Sequence, residues 1–391
     1  MSHFNNPFTD ILHQHPYREC HRCLMDTSDP KITFDDEGVC NHCRDYDVYM
    51  ARAGDPSQRQ AKLDAMVAHL KRQGKGKPYD CIMGLSGGVD SSYLAWLAVK
   101  KLGLRPLVVH VDAGWNSELA VNNIQNIVQR LGLDLHTLVI DWEEIRDLQR
   151  AFFLSGIANL DVPQDHAYIA SLMQEARKYG IRDILNGGNM QTESILPSAW
   201  GYDASDPVSI KGIHARFGTV RLKRYPMQTN WDRLVVNPFI RRMRTHRPLE
   251  YIDYNKDAAK ELLKSELGWR DYGGKHYESI FTKFFQAHYL PTKFGYDKRL
   301  AHLSSLIVSG QMTKQEARAE MQNPLYDPVE LEEDRSYWVK KLGLSRKDYD
   351  KVMAERPSLY TDFPNSESLY NRIRAVARLV AKAYRKIKPR S

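Results

Sequence analysis

The stretch "GLSGGVDSSYL", residues 84–94, follows the apolar run "YDCIMGL" and opens an apolar helical pattern. A short buried-type strand, two adjacent glycines and a helix start restrict the chain to folds that carry a ligand loop at a strand C-terminus. The backbone N–H groups and the dipole at such a helix start favour an anion. Gly87 and Gly88 let the backbone approach it closely, and the hydroxyls of Ser86, Ser91 and Ser92 can donate to it, so phosphate is the natural occupant. The loop lacks the lysine of G-x-x-x-x-G-K-[ST], and its adjacent glycines do not form the G-x-G-x-x-G fingerprint. The bland competitor is a Ser/Gly turn that only caps a helix.

Around this loop, strand and helix alternate. "RPLVVHVDAGW" and "DLHTLVID" read as strands separated by the helix "NSELAVNNIQNIVQRLG", and "QDHAYIASLMQEARKYG" then "IRDILNGGN" continue the pattern. The expected fold is α/β, a doubly wound parallel sheet with ligands gathered at the strand C-termini. Ahead of it, "SQRQAKLDAMVAHLKRQ" reads as a connecting helix that stops at "GKGKP". Beyond residue 240 the alternation stops, and segments such as "DAAKELLKSELG" and "SESLYNRIRAVARLVAKAYRKI" read as helices. The domain expectation is therefore 1–55, 56–240 and a mostly helical 241–391.

Four of the five cysteines form two C-x2-C pairs, Cys20 with Cys23 and Cys40 with Cys43. Two such turns present four thiolates to a tetrahedral ion, the pattern of a zinc ribbon, with disulfides or a redox pair as the alternatives. His21 and His42 sit beside the pairs as expected bystanders. No run reaches the roughly 18 apolar residues of a membrane span. The opening "MSHFNNPFTD" has neither a basic nor an apolar region, so a cytoplasmic protein without a signal peptide is expected. The net charge of +8, concentrated in "RRMRTHR" and near the C-terminus, suits nucleic acid, an anionic small substrate or a solvated surface equally well.

The motif S-G-G-V-D-S-S after the first strand resembles the pyrophosphate-binding loop of the ATP pyrophosphatase superfamily, whose fold is adenine nucleotide alpha hydrolase-like. The resemblance implies ATP split between its α- and β-phosphates, AMP passing to a substrate carbonyl oxygen, and Asp90 helping to position Mg2+. It makes His110, Val111 and Asp112, at the end of the second strand, candidate ATP neighbours. "NGGNMQTES" is similar to the G-T-x-N-x-x-E region of NAD synthetases. Aligned on Asn189, Gly187 stands where those enzymes have Thr, and Glu193 falls one residue late. By that match Gly187, Gly188 and Asn189 line the activated intermediate and Glu193 carries a metal.

Adenylation requires an acceptor carbonyl and a nucleophile. Cys81, the one unpaired thiol, lies within the first strand and reads as a buried apolar residue rather than a sulfur carrier. No cysteine stands in a glutaminase context, so ammonia is expected from elsewhere. The combination "HRCLMDTSDPKITFDDEGVCNHC", "GWRDYGGKHYESIFTKFFQAHYLPTKFGYDKR" and "HLSSLIVSGQMTKQEA", with the loop region, resembles the N-acetyl sugar amidotransferases, the WbpG-like family, over about residues 17–325. That resemblance implies a nucleotide-linked N-acetyl sugar substrate of a bacterial lipopolysaccharide O-antigen or nonulosonic acid pathway. It also implies conversion of acetamido to acetamidino, and ammonia from partner subunits similar to the glutaminase and cyclase of histidine biosynthesis. In the acceptor stretch Lys275, His276, Glu278, Lys293, Asp297, Lys298 and Arg299 crowd together. Lys293 and Lys298 are the expected stabilisers of developing charge, and His276 and Glu278 the expected proton acceptors. The rival readings are a tRNA-modifying enzyme built on the same loop and a zinc-ribbon adaptor with a degenerate nucleotide fold.

Overall fold

In the computed structural model, residues 16–274, 277–373 and 375 are described. The opening decapeptide, Lys275, His276 and most of the basic C-terminal stretch lie outside them. A five-stranded sheet forms the centre, in the order β3-β2-β1-β4-β5, with every neighbouring pair parallel. Its strands are β1 (Cys81–Gly84), β2 (Pro106–Asp112), β3 (Leu135–Val139), β4 (Asp183–Leu185) and β5 (Arg244–His246). Cys81, Ile82 and Met83 of β1 are fully buried, as expected for the middle strand of a parallel sheet covered on both faces. The strand order reverses direction between β1 and β4, and the crevice at that switch point is where such sheets hold ligands.

Helices α1 (Asn41–Ala53) and α2 (Pro56–Gln73) precede the sheet. Asp55 caps α2 by accepting from the Gln58 amide, with Pro56 at the first helical position. The crossovers are α3 (Val89–Trp96, continued by a π turn to Lys101), α4 (Glu118–Leu131), α5 (Trp142–Ser155) and α6 (Val162–Lys178). Two short helices, α7 (Met190–Glu193) and α8 (Pro207–Phe217), follow β4.

The sheet runs one strand past the expected limit at residue 240. Part of the run "RRMRTHR", which suggested only charge, is β5, and Asp183 fastens it by accepting from His246 (2.8 Å) and from His69 of α2 (3.0 Å). A buried carboxylate held by two imidazoles pins an edge strand whose own residues carry no apolar pattern.

The remainder is helical: α9 (Lys256–Leu267), α10 (Ile280–Phe284), α11 (Leu290–Phe294), α12 (Lys298–Val308), α13 (Lys314–Glu320), α14 (Pro328–Lys341) and α15 (Arg346–Ala354). This region shares its core with the sheet. Trp338 of α14 packs against Phe153 of α5 and Phe281 and Phe284 of α10 at ring separations of 5.0, 5.4 and 5.1 Å. One apolar cluster extends from these rings to the four cysteines.

Candidate ATP site at the sheet switch point

The loop between β1 and α3 is drawn together by its own polar groups. Ser86 Oγ accepts from the Gly88 amide (3.2 Å) and lies 3.1 Å from Ser91 Oγ, which donates to the Gly88 carbonyl (3.1 Å). Gly88 is the N-cap of α3, and the first bond of that helix runs from the Ser92 amide to the Gly88 carbonyl, so the amides of residues 89–91 belong to the open helix end. Gly87 has φ +85°, and a Cβ there would meet the Tyr272 hydroxyl at 2.9 Å and the Ala120 carbonyl at 3.1 Å. Only glycine fits. Ser92 departs from the expectation: its hydroxyl is fully buried and donates back to the Gly88 carbonyl (2.7 Å), fixing the loop rather than facing a ligand.

Asp90 stands in the first turn of α3. Its Oδ1 accepts from the buried Tyr254 hydroxyl (2.7 Å) and from Asn189 Nδ2 at 3.5 Å, so the β1 and β4 loops meet at this carboxylate. In the β4 loop, Asn189 caps α7 by accepting from the Gln191 and Thr192 amides (3.1 and 2.9 Å). A Cβ on Gly187 would crowd the Asp90 carbonyl at 3.3 Å, and one on Gly188 would strike Asn186 Oδ1 at 2.8 Å and come within 3.9 Å of Arg247 Nε. Gln191 holds the far side by accepting from the Tyr254 amide (2.7 Å) and donating to the Ile252 carbonyl (3.1 Å). The Tyr254 hydroxyl is pushed up by burial first, then by the negative charges of Asp90 and Glu193. The Asp90 carboxylate, at the open helix end, is an oxygen donor of the kind Mg2+ prefers alongside phosphate oxygens.

At the end of β2, His110 Nδ1 donates to the Leu85 carbonyl (2.9 Å) and Nε2 accepts from Asn116 (3.0 Å). Its ring nitrogens are thereby engaged in bracing the β1 loop. Asp112 is one strand from the loop, its Oδ1 accepting from the Gly114 amide (2.7 Å) and from Asn116 (3.1 Å).

The C-terminal region closes over the loop. The Trp269 indole and the Tyr272 hydroxyl both donate to the Gly87 carbonyl, at 2.8 and 2.9 Å. Asn123 of α4 grips the Arg270 backbone by both its amide and its carbonyl (2.9 and 2.8 Å). A Glu278 carboxylate oxygen lies 3.1 Å from where a Cβ on Gly88 would stand, and the Glu278 carbonyl accepts from the Ser117 amide (2.9 Å). Glu278 is thus against the loop, as a role for the acceptor stretch requires.

The two lysines separate. Lys293 is 2% exposed and donates to the carbonyls of Val352 and Glu355 at the end of α15, at 2.5 and 2.7 Å. A cation satisfying the last carbonyls of a helix is a cap, and this placement removes Lys293 from the catalytic candidates. Lys298, at the start of α12, faces Asp165 of α6. Burial, then the neighbouring charge of Asp161, lifts the Asp165 carboxyl to about 8 against the opposing pull of Lys298. Asp112, Asp161, Asp165 and Glu278 all act on the Tyr168 hydroxyl and raise it, burial being the larger cause. These carboxylates thus act together around Tyr168, and one of them, Glu278, lies against the loop. Asp297 and Arg299, also expected here, pair with each other through Arg299 Nη2 at 2.8 Å.

Sequence reasoning missed Asp165, Tyr168, Tyr254, Trp269, Tyr272 and Arg247. Asp165 and Tyr168 left one usable trace, two polar residues three apart on a helix that is otherwise largely buried.

The four cysteines are fully buried, with Sγ separations of 3.8, 3.7 and 3.6 Å for Cys20–Cys43, Cys23–Cys40 and Cys40–Cys43. A tetrahedron with Zn–S bonds of about 2.3 Å has edges of about 3.8 Å, so the set fits zinc. The amides of Arg22, Met25 and Cys40 point at these sulfurs at 3.4, 3.4 and 3.2 Å, and such donors stabilise thiolates around an ion. His21 and His42 engage the Glu37 carbonyl (2.6 Å) and Asp29 (2.8 Å) instead.

Comparison with known proteins agrees with this geometry. Residues 62–154 match the NAD synthase family, and residues 278–377 match the family described as "LPS biosynthesis protein WbpG-like, C-terminal domain". The loop, the sheet and the first match make the chain a member of the ATP pyrophosphatase, or PP-loop, superfamily. Within it, the match of residues 278–377 supports placing the chain with the WbpG-like family.

Among curated relatives, one of the subunits of the glutamine-hydrolyzing GMP synthase of Methanococcus vannielii is 37% identical over 103 residues, 26% of this chain and 30% of that protein. The glutamine-dependent NAD(+) synthetase of Aquifex aeolicus is 33% identical over 73 residues, 18% of this chain and 12% of that protein. The chain thus spans less than a third of the length of either. The solved NH3-dependent NAD synthetase of Campylobacter jejuni aligns with 77% of this chain and 98% of its own, at 11% identity and a TM-score of 0.33. Among the described residues no helix is long and apolar enough to cross a membrane.

Proposed function

We propose that the protein is an ATP-dependent amidotransferase acting on a nucleotide-linked N-acetyl sugar. It adenylates the acetamido oxygen and replaces it with ammonia, forming an acetamidino sugar, AMP and pyrophosphate for a bacterial surface polysaccharide or nonulosonic acid. The carrying observation is the junction of an anion-binding helix start with Asp90 and the β4 loop, with Glu278 of the acceptor stretch against the same phosphate loop. The WbpG-like match supports the polysaccharide setting, and the synthetase relatives support ATP-driven nitrogen transfer.

On this reading the open end of α3 holds the β- and γ-phosphates. Asp90 and Glu193 would hold Mg2+, which when bound would neutralise charge on the departing pyrophosphate. The acetamido oxygen attacks the α-phosphorus, the bond to the β-phosphate oxygen breaks, and AMP becomes attached to that oxygen. Ammonia adds to the activated carbon, AMP departs with the former acetamido oxygen, and the added nitrogen gives up two of its three protons to leave the neutral amidine NH. Asp165, with its carboxyl near 8, is suited to take a proton from incoming ammonium, and Lys298 to balance the charge of the sugar nucleotide. Zinc in the cysteine site would be structural, its four thiolates leaving no open position. Ammonia would arrive from glutaminase- and cyclase-like partner subunits in the cytoplasm, and nucleic acid has no part.

The test supplies ATP, ammonium and a panel of UDP- and CMP-linked N-acetyl sugars. The expected result is AMP, pyrophosphate and a sugar in which one oxygen has become NH. AMP release that depends on tRNA, with none on any sugar, would overturn the reading.

A further inference from the structure

The motif "HLSSLI" lies in α12, away from the phosphate loop, and its two serines are fully buried side by side. Adjacent residues on a helix point about 100° apart, so the two hydroxyls serve different neighbours. Ser304 Oγ accepts from the amide of Leu24 (3.0 Å), the residue after Cys23. Ser305 Oγ accepts from the amide of Ile195 (3.1 Å), just past α7, while donating to the Ala301 carbonyl (2.9 Å). One turn earlier, His302 Nδ1 donates to the Thr192 carbonyl (3.3 Å). Leu24 also packs with Leu303 and Leu306 of α12, and Lys314 Nζ donates to the Cys20 carbonyl (2.6 Å).

These bonds join the cysteine knuckle to the β4 loop, whose Asn189 reaches Asp90. The loop depends on them because α7 is only four residues long, too short to be stable alone.

We infer that the cysteine knuckle is a positioning element of the ATP site: with its ion bound it holds α12 in place, and Ser304 and Ser305 pass that constraint to residues 187–195. The inference rests on the site assignment above for its effect on ATP, but its structural half is independent of it. Because coupling between two binding sites is reciprocal, MgATP must then also retain the ion.

The full chain, purified with zinc, is the material for two measurements. Hydrogen exchange is followed at residues 187–195 and 84–92 in wild type, in Ser304→Ala and after zinc transfer to a chromogenic chelator. Faster exchange at 187–195 in both altered forms, with the β1 loop and β2 unchanged, is expected. Unchanged exchange at 187–195 in Ser304→Ala, or an increase spread evenly over the sheet in that variant, overturns the inference. The second measurement is the rate of zinc transfer with and without MgATP. MgATP should slow transfer about fivefold in wild type and not in Ser305→Ala. Equal slowing in both proteins contradicts the relay. If MgATP binds neither protein, the site assignment fails, and the exchange result alone decides the inference.

Discussion

The two loops at the switch point differ in where their outside ties come from. The β1 loop is folded by its own serines and glycines, within seven residues of sequence, and clamped at the Gly87 carbonyl by Trp269 and Tyr272. The β4 loop has internal bonds as well, from the Gly188 amide to Asn186 Oδ1 and around the Asn189 cap, and is tied further by Gln191 against residues 252–254, Ser305 of α12 and His302. A self-contained loop can be recognised from its sequence and transplanted between folds. A loop assembled from remote contacts is particular to its protein.

If that division is right, the largest effect comes from the residue both loops share. Asp90→Asn keeps an acceptor for the Tyr254 hydroxyl while removing the charge, and should cut AMP formation by at least about a hundredfold at unchanged thermal stability. Near-normal turnover would mean that the metal and phosphates sit elsewhere. Gly87→Ala strains a φ of +85° and pushes on the Tyr272 hydroxyl and the Ala120 carbonyl. Displacing the loop by a fraction of an ångström should lower kcat/KM by about ten- to a hundredfold, with the β4 loop undisturbed in hydrogen exchange. Matching exchange changes in both loops would break the contrast between them.

The smallest effect on catalysis belongs to Lys293. Lys293→Met should leave kcat within about twofold, since the ammonium caps α15 through its bonds to the Val352 and Glu355 carbonyls. Burial lowers its ammonium from 10.5 to about 8, so between those values the unfolded chain binds more protons than the folded one. Stability then rises with pH across that window, after its burial cost has been fully present below about 8. Chemical unfolding at pH 8 and pH 10 should show this rise in wild type and lose it in the variant. A large fall in kcat would return Lys293 to the catalytic set.

The same division explains what could be read from the sequence. Strands β1 to β4, the phosphate loop and the paired cysteines each carry a local signature: a short run rich in apolar and β-branched residues, adjacent glycines before a helix, a fixed thiol spacing. β5 is Arg-Thr-His, a three-residue polar edge strand fixed by Asp183 and by pairing with a segment some sixty residues earlier, so no local pattern betrays it. Lys293 and Lys298 are five residues apart and look alike in sequence, yet one is sealed under α15 and the other faces Asp165. Depth is a property of packing, not of residue type. Tyr254, Trp269 and Tyr272 were invisible for a related reason: each buries an apolar ring and uses its single polar atom on a distant loop.

The central claim, that AMP is transferred to the acetamido oxygen, is tested most directly by isotope. A nucleotide-linked N-acetyl sugar carrying heavy oxygen only in its acetamido group is incubated with the protein, ATP and ammonium, and the AMP is analysed by mass spectrometry. Heavy oxygen is expected in the AMP phosphate, in amount equal to the acetamidino sugar formed. Unlabelled AMP alongside that product would contradict the transfer.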